Sequence, residues 1–264
     1  MREDILSAIS ERYGNIPKKP RHLRCELICE DRGFAAGRAK ISELRLICEC
    51  DEGEVSFKAK SIMPNVGDDL PFFIYLAERG DVPDRFLPAE ELCDLGVGVM
   101  LLDYRDIASD DEEYRCGIAS KLVGSRRGLR SPSKTALWAF AVMRAIEYVR
   151  HLSRADSEKI CVIAHSHLCA AALVGSVMSE VDCYTVLNNP SEPTSSHRFA
   201  KRHIPGALSD FINSAASAGT KKLFVNLSEE DKIEDYRGIT LRKRDGESYL
   251  GRGDWNYFVK VLKG

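Results

Sequence analysis

Five residues in this chain of 264, Ala164, His165, Ser166, His167 and Leu168, stand where a serine could act as a nucleophile. The run before them, Lys159 to Ile163, is dominated by apolar and β-branched residues, as in a parallel strand buried on both faces. The Ala-rich segment after them, to Met178, reads as a helix. A sharp turn between such elements lifts the serine Oγ above the sheet edge, and the helix N-terminus presents N–H donors to a developing oxyanion. The G-x-S-x-G pattern of such turns is A-x-S-x-L here. Alanine suits the crowded first position, while Leu168 is less expected at the second. The alternative is an ordinary strand-to-helix turn that contains a serine.

A serine hydroxyl needs an adjacent base, and the base needs an orienting partner. The six histidines are at 22, 151, 165, 167, 197 and 203. His167 adjoins Ser166, but a neighbour on the turn normally points away from Oγ. His197 belongs to a loop over the strand ends and could swing in as a substitute base; its alternative is a solvent-exposed loop residue. His165, at the strand end, reads as packed or backbone-bonded, with metal binding as the alternative.

The elements that must position these residues follow from periodicity. Residues 1–15 read as a helix ended by Gly14 and Pro17. Leu23–Cys29, Leu44–Cys50 and Glu54–Ile62 read as antiparallel strands, with Asp51–Gly53 as a hairpin turn. From Pro71 an apolar strand, a helix near Leu87–Leu95 and the strand GVGVMLLDY form a βαβ unit. Asp103 to Pro132 lacks periodicity, as functional or mobile loops do. Ser133 caps an amphipathic helix that delivers the chain to the serine turn. Cys183–Leu187 and LFVNL read as further strands, with a helix around Gly206–Ala218 between them. A short strand follows at Gly238–Leu241, and a last helix starts at Asp254. No linker divides the chain, so one domain over 1–264 is expected, its first 64 residues a helix and antiparallel strands and 71–264 a parallel core. Trp138 and Trp255 read as core anchors, and the acidic run Asp106–Glu113 as a solvated loop or a pocket rim.

Three stretches carry a resemblance. LLDYRDIASDDEEYRCG, the helix-to-turn segment from Leu137 to Leu173, and RDGESYLGRGDWNYFVKVL are similar to the α/β-hydrolase superfamily, and within it to glucuronoyl-esterase and acetyl-xylan-esterase-like carbohydrate esterases. The resemblance implies an α/β class: a mostly parallel central sheet with an antiparallel N-terminal hairpin and helices on both faces. It places Ser166 at the nucleophile and Asp231 at the triad acid, with Glu230 as a neighbouring candidate. His167 stands where the family has an arginine that helps to hold the oxyanion, and Ser248 where it has the catalytic histidine. No histidine follows Asp231. Two functions stay open: a serine esterase acting on a small or carbohydrate-linked ester with a displaced base, and a silent hydrolase fold kept as a binding or scaffold protein.

Charge and composition narrow the field. A net charge of −2 provides no long-range field for nucleic acid or an anionic membrane. No apolar run reaches membrane-spanning length, and no leader-like segment opens the chain. Nine cysteines, an odd number, read as reduced thiols in a cytoplasmic protein. Cys25, Cys29, Cys48 and Cys50 form an alternative zinc set, but each pair falls on one face of a period-2 strand, which packing explains equally well. No cofactor and no metal is expected, and oligomeric state is left open.

Overall fold

The computed structural model describes residues 2–81, 86–109, 114–123, 128, 130–192, 207–217, 222–228, 236–245 and 248–264. Helix α1 (Arg2–Tyr13) leads into three long strands, β1 (His22–Asp31), β2 (Ala39–Cys50) and β3 (Gly53–Pro64). Then come β4 (Leu70–Ala77), α2 (Ala89–Asp94), β5 (Gly98–Asp103), and the short helices α3 (Tyr104–Ile107) and α4 (Ala119–Leu122). Helix α5 (Lys134–Arg150) precedes β6 (Ala155–His165), and a single tight turn over Ser166–Leu168 leads into α6 (Cys169–Met178). The chain closes with β7 (Tyr184–Asn188), α7 (Leu208–Ala216), β8 (Lys222–Ser228), β9 (Thr240–Arg244) and α8 (Arg252–Lys263).

The nine strands among the described residues join one sheet in the order β1-β2-β3-β5-β4-β6-β7-β8-β9. The first three form an antiparallel meander, and β3 pairs antiparallel with β5. From there to β9 every pairing is parallel. Parallel strands are covered on both faces, so they cannot alternate apolar with polar. In β4 every residue is buried, Phe72, Ile74 and Leu76 toward one core and Phe73 and Tyr75 toward the other. Helices α1, α5, α6 and α7 cover the first face, and α2 and α8 cover the second.

The order also fixes where a site can form. From β4 the chain moves outward to β5 and then crosses back to place β6 on the other side of β4. Connections therefore diverge above β4 and β6 and leave a crevice at their C-terminal ends.

Most expected elements are present, with instructive differences. The aperiodic stretch after Asp103 contains two four-residue helices, anchored where the Trp138 indole donates to the Ala108 carbonyl at 3.0 Å. The last strand runs to Arg244 and not Leu241, and α8 begins at Arg252, two residues before Asp254. Trp138 and Trp255 are fully buried, as core anchors should be. One reading is overturned: a bulge between Leu27 and Cys29 puts two residues of β1 against one of β2. The bulge reverses the alternation, so Cys25 and Cys29 face opposite sides of the sheet and the four thiols do not converge. Burial pushes the Cys48 thiol up to about 12. Among the described residues, no helix is long and apolar enough to cross a membrane.

Close approach makes glycine obligatory at Gly98, which pairs with Phe72 across β5 and β4. A Cβ there would lie 2.3 Å from Phe72 Cε2, and Phe72 is itself fully buried with no room to retreat. Gly98→Ala is expected to destabilise the fold by about 1–3 kcal/mol, read as a lower urea midpoint at unchanged slope.

Candidate active site

The site is built at the crevice above β4 and β6. Strand β6 ends at His165 in extended backbone, and Ser166 then turns to φ 54°, a left-handed conformation that non-glycine residues rarely adopt. Helix α6 follows with Ala170, Ala171 and Ala172 buried against the core. Small residues let it pack close: a Cβ on Gly175 would lie 2.6 Å from Val142 Cγ1 of α5. The turn thus rises where the expectation put it, with the serine half-buried at the edge. Ser166 Oγ lies 3.0 Å from Ser191 Oγ, and the Ser191 N–H donates to the Ser166 carbonyl at 3.3 Å. A pair of hydroxyls holds a proton in place but supplies no base.

The neighbours of Ser166 diverge. His167 turns toward the segment after β4, where its Nδ1 is 3.8 Å from Glu78 Oε1 and its ring meets the edges of Tyr104 and Trp138. Leu168, the residue least expected in the motif, is fully buried. Cys169 is no competing nucleophile: its Sγ donates to the Ala164 and Asn188 carbonyls at 3.3 and 3.5 Å, and burial holds its thiol well above the usual range.

His165 enters a different network. It is packed, as one of the two expected alternatives had it, and its Nδ1 lies 2.8 Å from Asn188 Nδ2, a side-chain partner. Asn188 Oδ1 accepts from Asn226 Nδ2 at 2.6 Å, and Asn226 Oδ1 accepts from Arg242 Nη1 at 2.9 Å. Arg242 pairs with Asp254 on α8, and Arg244 Nη1 lies 3.4 Å from the same carboxylate. The register explains the row: His165 pairs with Asn188, Asn188 with Asn226 and Asn226 with Arg242 across four successive strands. Asn188 and Asn226 are both fully buried.

The row also reaches the loop before α8. The Ser248 carbonyl accepts from Asn188 Nδ2 at 2.8 Å and from Asn189 Nδ2 at 2.9 Å, while Asn189 Oδ1 accepts the Ser228 N–H at 2.9 Å. Position 248 is therefore tied by its main chain to the end of β7, beside the serine turn, with its side chain exposed. Of the residues singled out in the sequence, Ser166, His167 and Ser248 are brought to this edge. Asp231, Glu230 and His197 lie outside the described residues.

Two hollows adjoin the edge. A cavity of about 20 Å³ is lined by Tyr75, Glu78, Arg79, Phe86, His165 and Tyr249, with the His165 and Tyr249 rings 4.7 Å apart. An open pocket of about 440 Å³ lies over β3 and β5, between Lys58, Lys60, Asp81, Asp103, Arg105 and Asp106. Asp106 is thus a pocket wall, and burial first, then Asp103, push its carboxyl above the ordinary value. Sequence reasoning missed Glu78, Ser191, Asn188, Asn226 and Arg242. The available signal was a carboxamide inside or ending each of two otherwise apolar strands, TVLN and LFVNL.

No family model and no curated protein matches this chain. Solved structures do. A glucuronoyl esterase from Solibacter usitatus superposes with a TM-score of 0.79 at 15% identity, covering 99% of this chain and 91% of that one. A CE15 glucuronoyl esterase from Teredinibacter turnerae T7901 gives 0.76 at 13% identity, with coverage of 99% and 83%. An acetyl xylan esterase from Paenibacillus sp. R4 gives 0.57 at 12% identity, with coverage of 99% and 92%. Such low identity speaks for the fold and not the activity. The chain has the α/β-hydrolase fold, the carbohydrate-esterase-like fold of these neighbours.

Proposed function

We propose that this protein is a serine carboxylic-ester hydrolase of the carbohydrate-esterase type, acting on a small or carbohydrate-linked ester. The observation that carries the reading is the left-handed backbone of Ser166 between β6 and α6. Strain of this kind is held only where surrounding structure over-determines it, and here it sets a hydroxyl at the mouth of a topological crevice. In the reaction Ser166 Oγ attacks the ester carbonyl and gives its proton to a base. The carbonyl oxygen becomes an oxyanion at the start of α6, where the His167 N–H is the natural donor. The alcohol leaves with a proton, and water then releases the acid from the acyl-serine.

The base is the weak part of the machine. Ser248 occupies the position that the resemblance gives to the catalytic histidine, and a hydroxyl cannot do its work at neutral pH. Loss of that histidine costs on the order of 10⁶ in kcat in another serine hydrolase. Slow turnover follows, with His197 or a water-assisted route taking the proton and Asp231 as the acid. The second reading, a silent fold that binds a ligand, rests on this same Ser248.

Three outcomes are expected. Hydrolysis of nitrophenyl acetate by the purified protein exceeds background and vanishes in Ser166→Ala; equal background rates in both would leave the binding reading. Because the Ser248 main chain is already tied to β7, Ser248→His is expected to raise kcat by at least the ~10²-fold typical of an added general base, measured in the same assay. Ser166→Gly and Ser166→Ala both lose the hydroxyl, so their difference isolates the backbone. The glycine variant is expected to be more stable by about 1 kcal/mol, read from thermal melts.

A further inference from the structure

His165 precedes the nucleophile, and its own hydrogen bond determines which of its nitrogens carries a proton. Nδ1 lies 2.8 Å from Asn188 Nδ2. A carboxamide nitrogen only donates, so Nδ1 is the acceptor and bears no proton. The remaining bonds of the row orient that carboxamide. Asn188 Nδ2 also donates to the Ser248 carbonyl, which can only accept, and Asn188 Oδ1 accepts from Asn226 Nδ2. Turning the amide over would set oxygen against oxygen at Ser248 and nitrogen against nitrogen at Asn226. Asn226 is oriented in turn by the Arg242 guanidinium, which has no acceptor to offer, and Arg242 is held by Asp254. Donation therefore runs one way, from Arg242 through Asn226 and Asn188 to the imidazole.

We propose that His165 is held as the neutral imidazole with its proton on Nε2, and that it is therefore not the missing base. Protonating Nδ1 would point two donors at each other across 2.8 Å. Relief would require Asn188, which is fully buried, to break its bonds to Ser248 and Asn226. Other charged groups reach the ring from its remaining sides. Glu78, Arg79 and Asp81, after β4, share its cavity, along with Tyr75 from β4 and Tyr249 from the loop before α8. Arg79 opposes an imidazolium and the two carboxylates favour it, so the bonded amide decides the outcome. That the base must be another group rests on the esterase reading, whereas the protonation state does not.

Long-range ¹⁵N–¹H correlation spectra of the histidine-labelled protein, with His165→Gln to assign the signals, test this directly. The expected result is a protonated Nε2 and an unprotonated Nδ1, unchanged from about pH 5 to about pH 8. Asn188→Asp replaces the donor with an acceptor, so Nδ1 should become protonated and the ring should titrate within that range. Should this variant not fold, the wild-type spectrum alone decides: a protonated Nδ1 or an imidazolium near neutral pH overturns the proposal. In the ester assay His165→Gln, which keeps a donor amide, should lower kcat by less than the ~10² that losing a general base costs. A larger loss would return His165 to the role of base. The spectra hold even if Ser166 proves inert, so the two readings fail separately.

Discussion

Parallel strands that end side by side beneath helices leave polar groups with nowhere to find water, and the row from His165 to Asp254 is how this sheet satisfies them. Four strands contribute one side chain each at a single register level, and the row is anchored at its far end by a charge pair. A half-satisfied polar row in an apolar layer is worse than none, since each orphaned group costs about 1–3 kcal/mol. Complete, it locks the ends of β6, β7, β8 and β9 against one another. Helix α8 and position 248 are drawn into the same lock by Asp254 and by the Ser248 carbonyl.

The serine turn depends on that lock. Ser166 occupies a backbone conformation that an L-residue adopts only under duress, at about 1–2 kcal/mol. It is held by strand β6 on one side, tied at His165 to Asn188, and on the other by α6, packed closely onto α5 through Gly175. The Ser191 N–H to the Ser166 carbonyl closes the turn from above. Strain sits where a hydroxyl is presented, and the end of β6 and most of α6, which hold it, are buried.

How much of this was legible depended on whether the cause was local. The run Lys159–Ile163, the Ala-rich segment after Leu168 and the Ser133 cap each declare themselves through period or capping, so the strand, turn and helix around Ser166 could be read directly. The residues around the serine could not. Glu78 faces His167 only because β6 crosses back beside β4, and nothing near Glu78 in the chain announces that neighbour. The Asn188–Asn226–Arg242 row needs the register of three strand pairings, and register in a parallel sheet is set by helices tens of residues away. The bulge in β1 shows the same limit at short range, since one extra residue reversed the faces of Cys25 and Cys29 without changing the apolar pattern.

The same row bears on which base a hydrolase of this design could use. A general base must have a ring nitrogen free to take a proton, and its pKa must lie near the working pH. His165 has one nitrogen committed as acceptor to an amide that cannot turn, and His167 is drawn away toward Glu78 and the edges of two aromatic rings. Both histidines that flank the serine are thus engaged by neighbours on opposite sides of the turn. On the proposed reading, a proton taken from Ser166 leaves on the side of the turn where Ser191 Oγ lies. On the same reading, the fold keeps the nucleophile's posture through strain and ties position 248 to the sheet through two carboxamides.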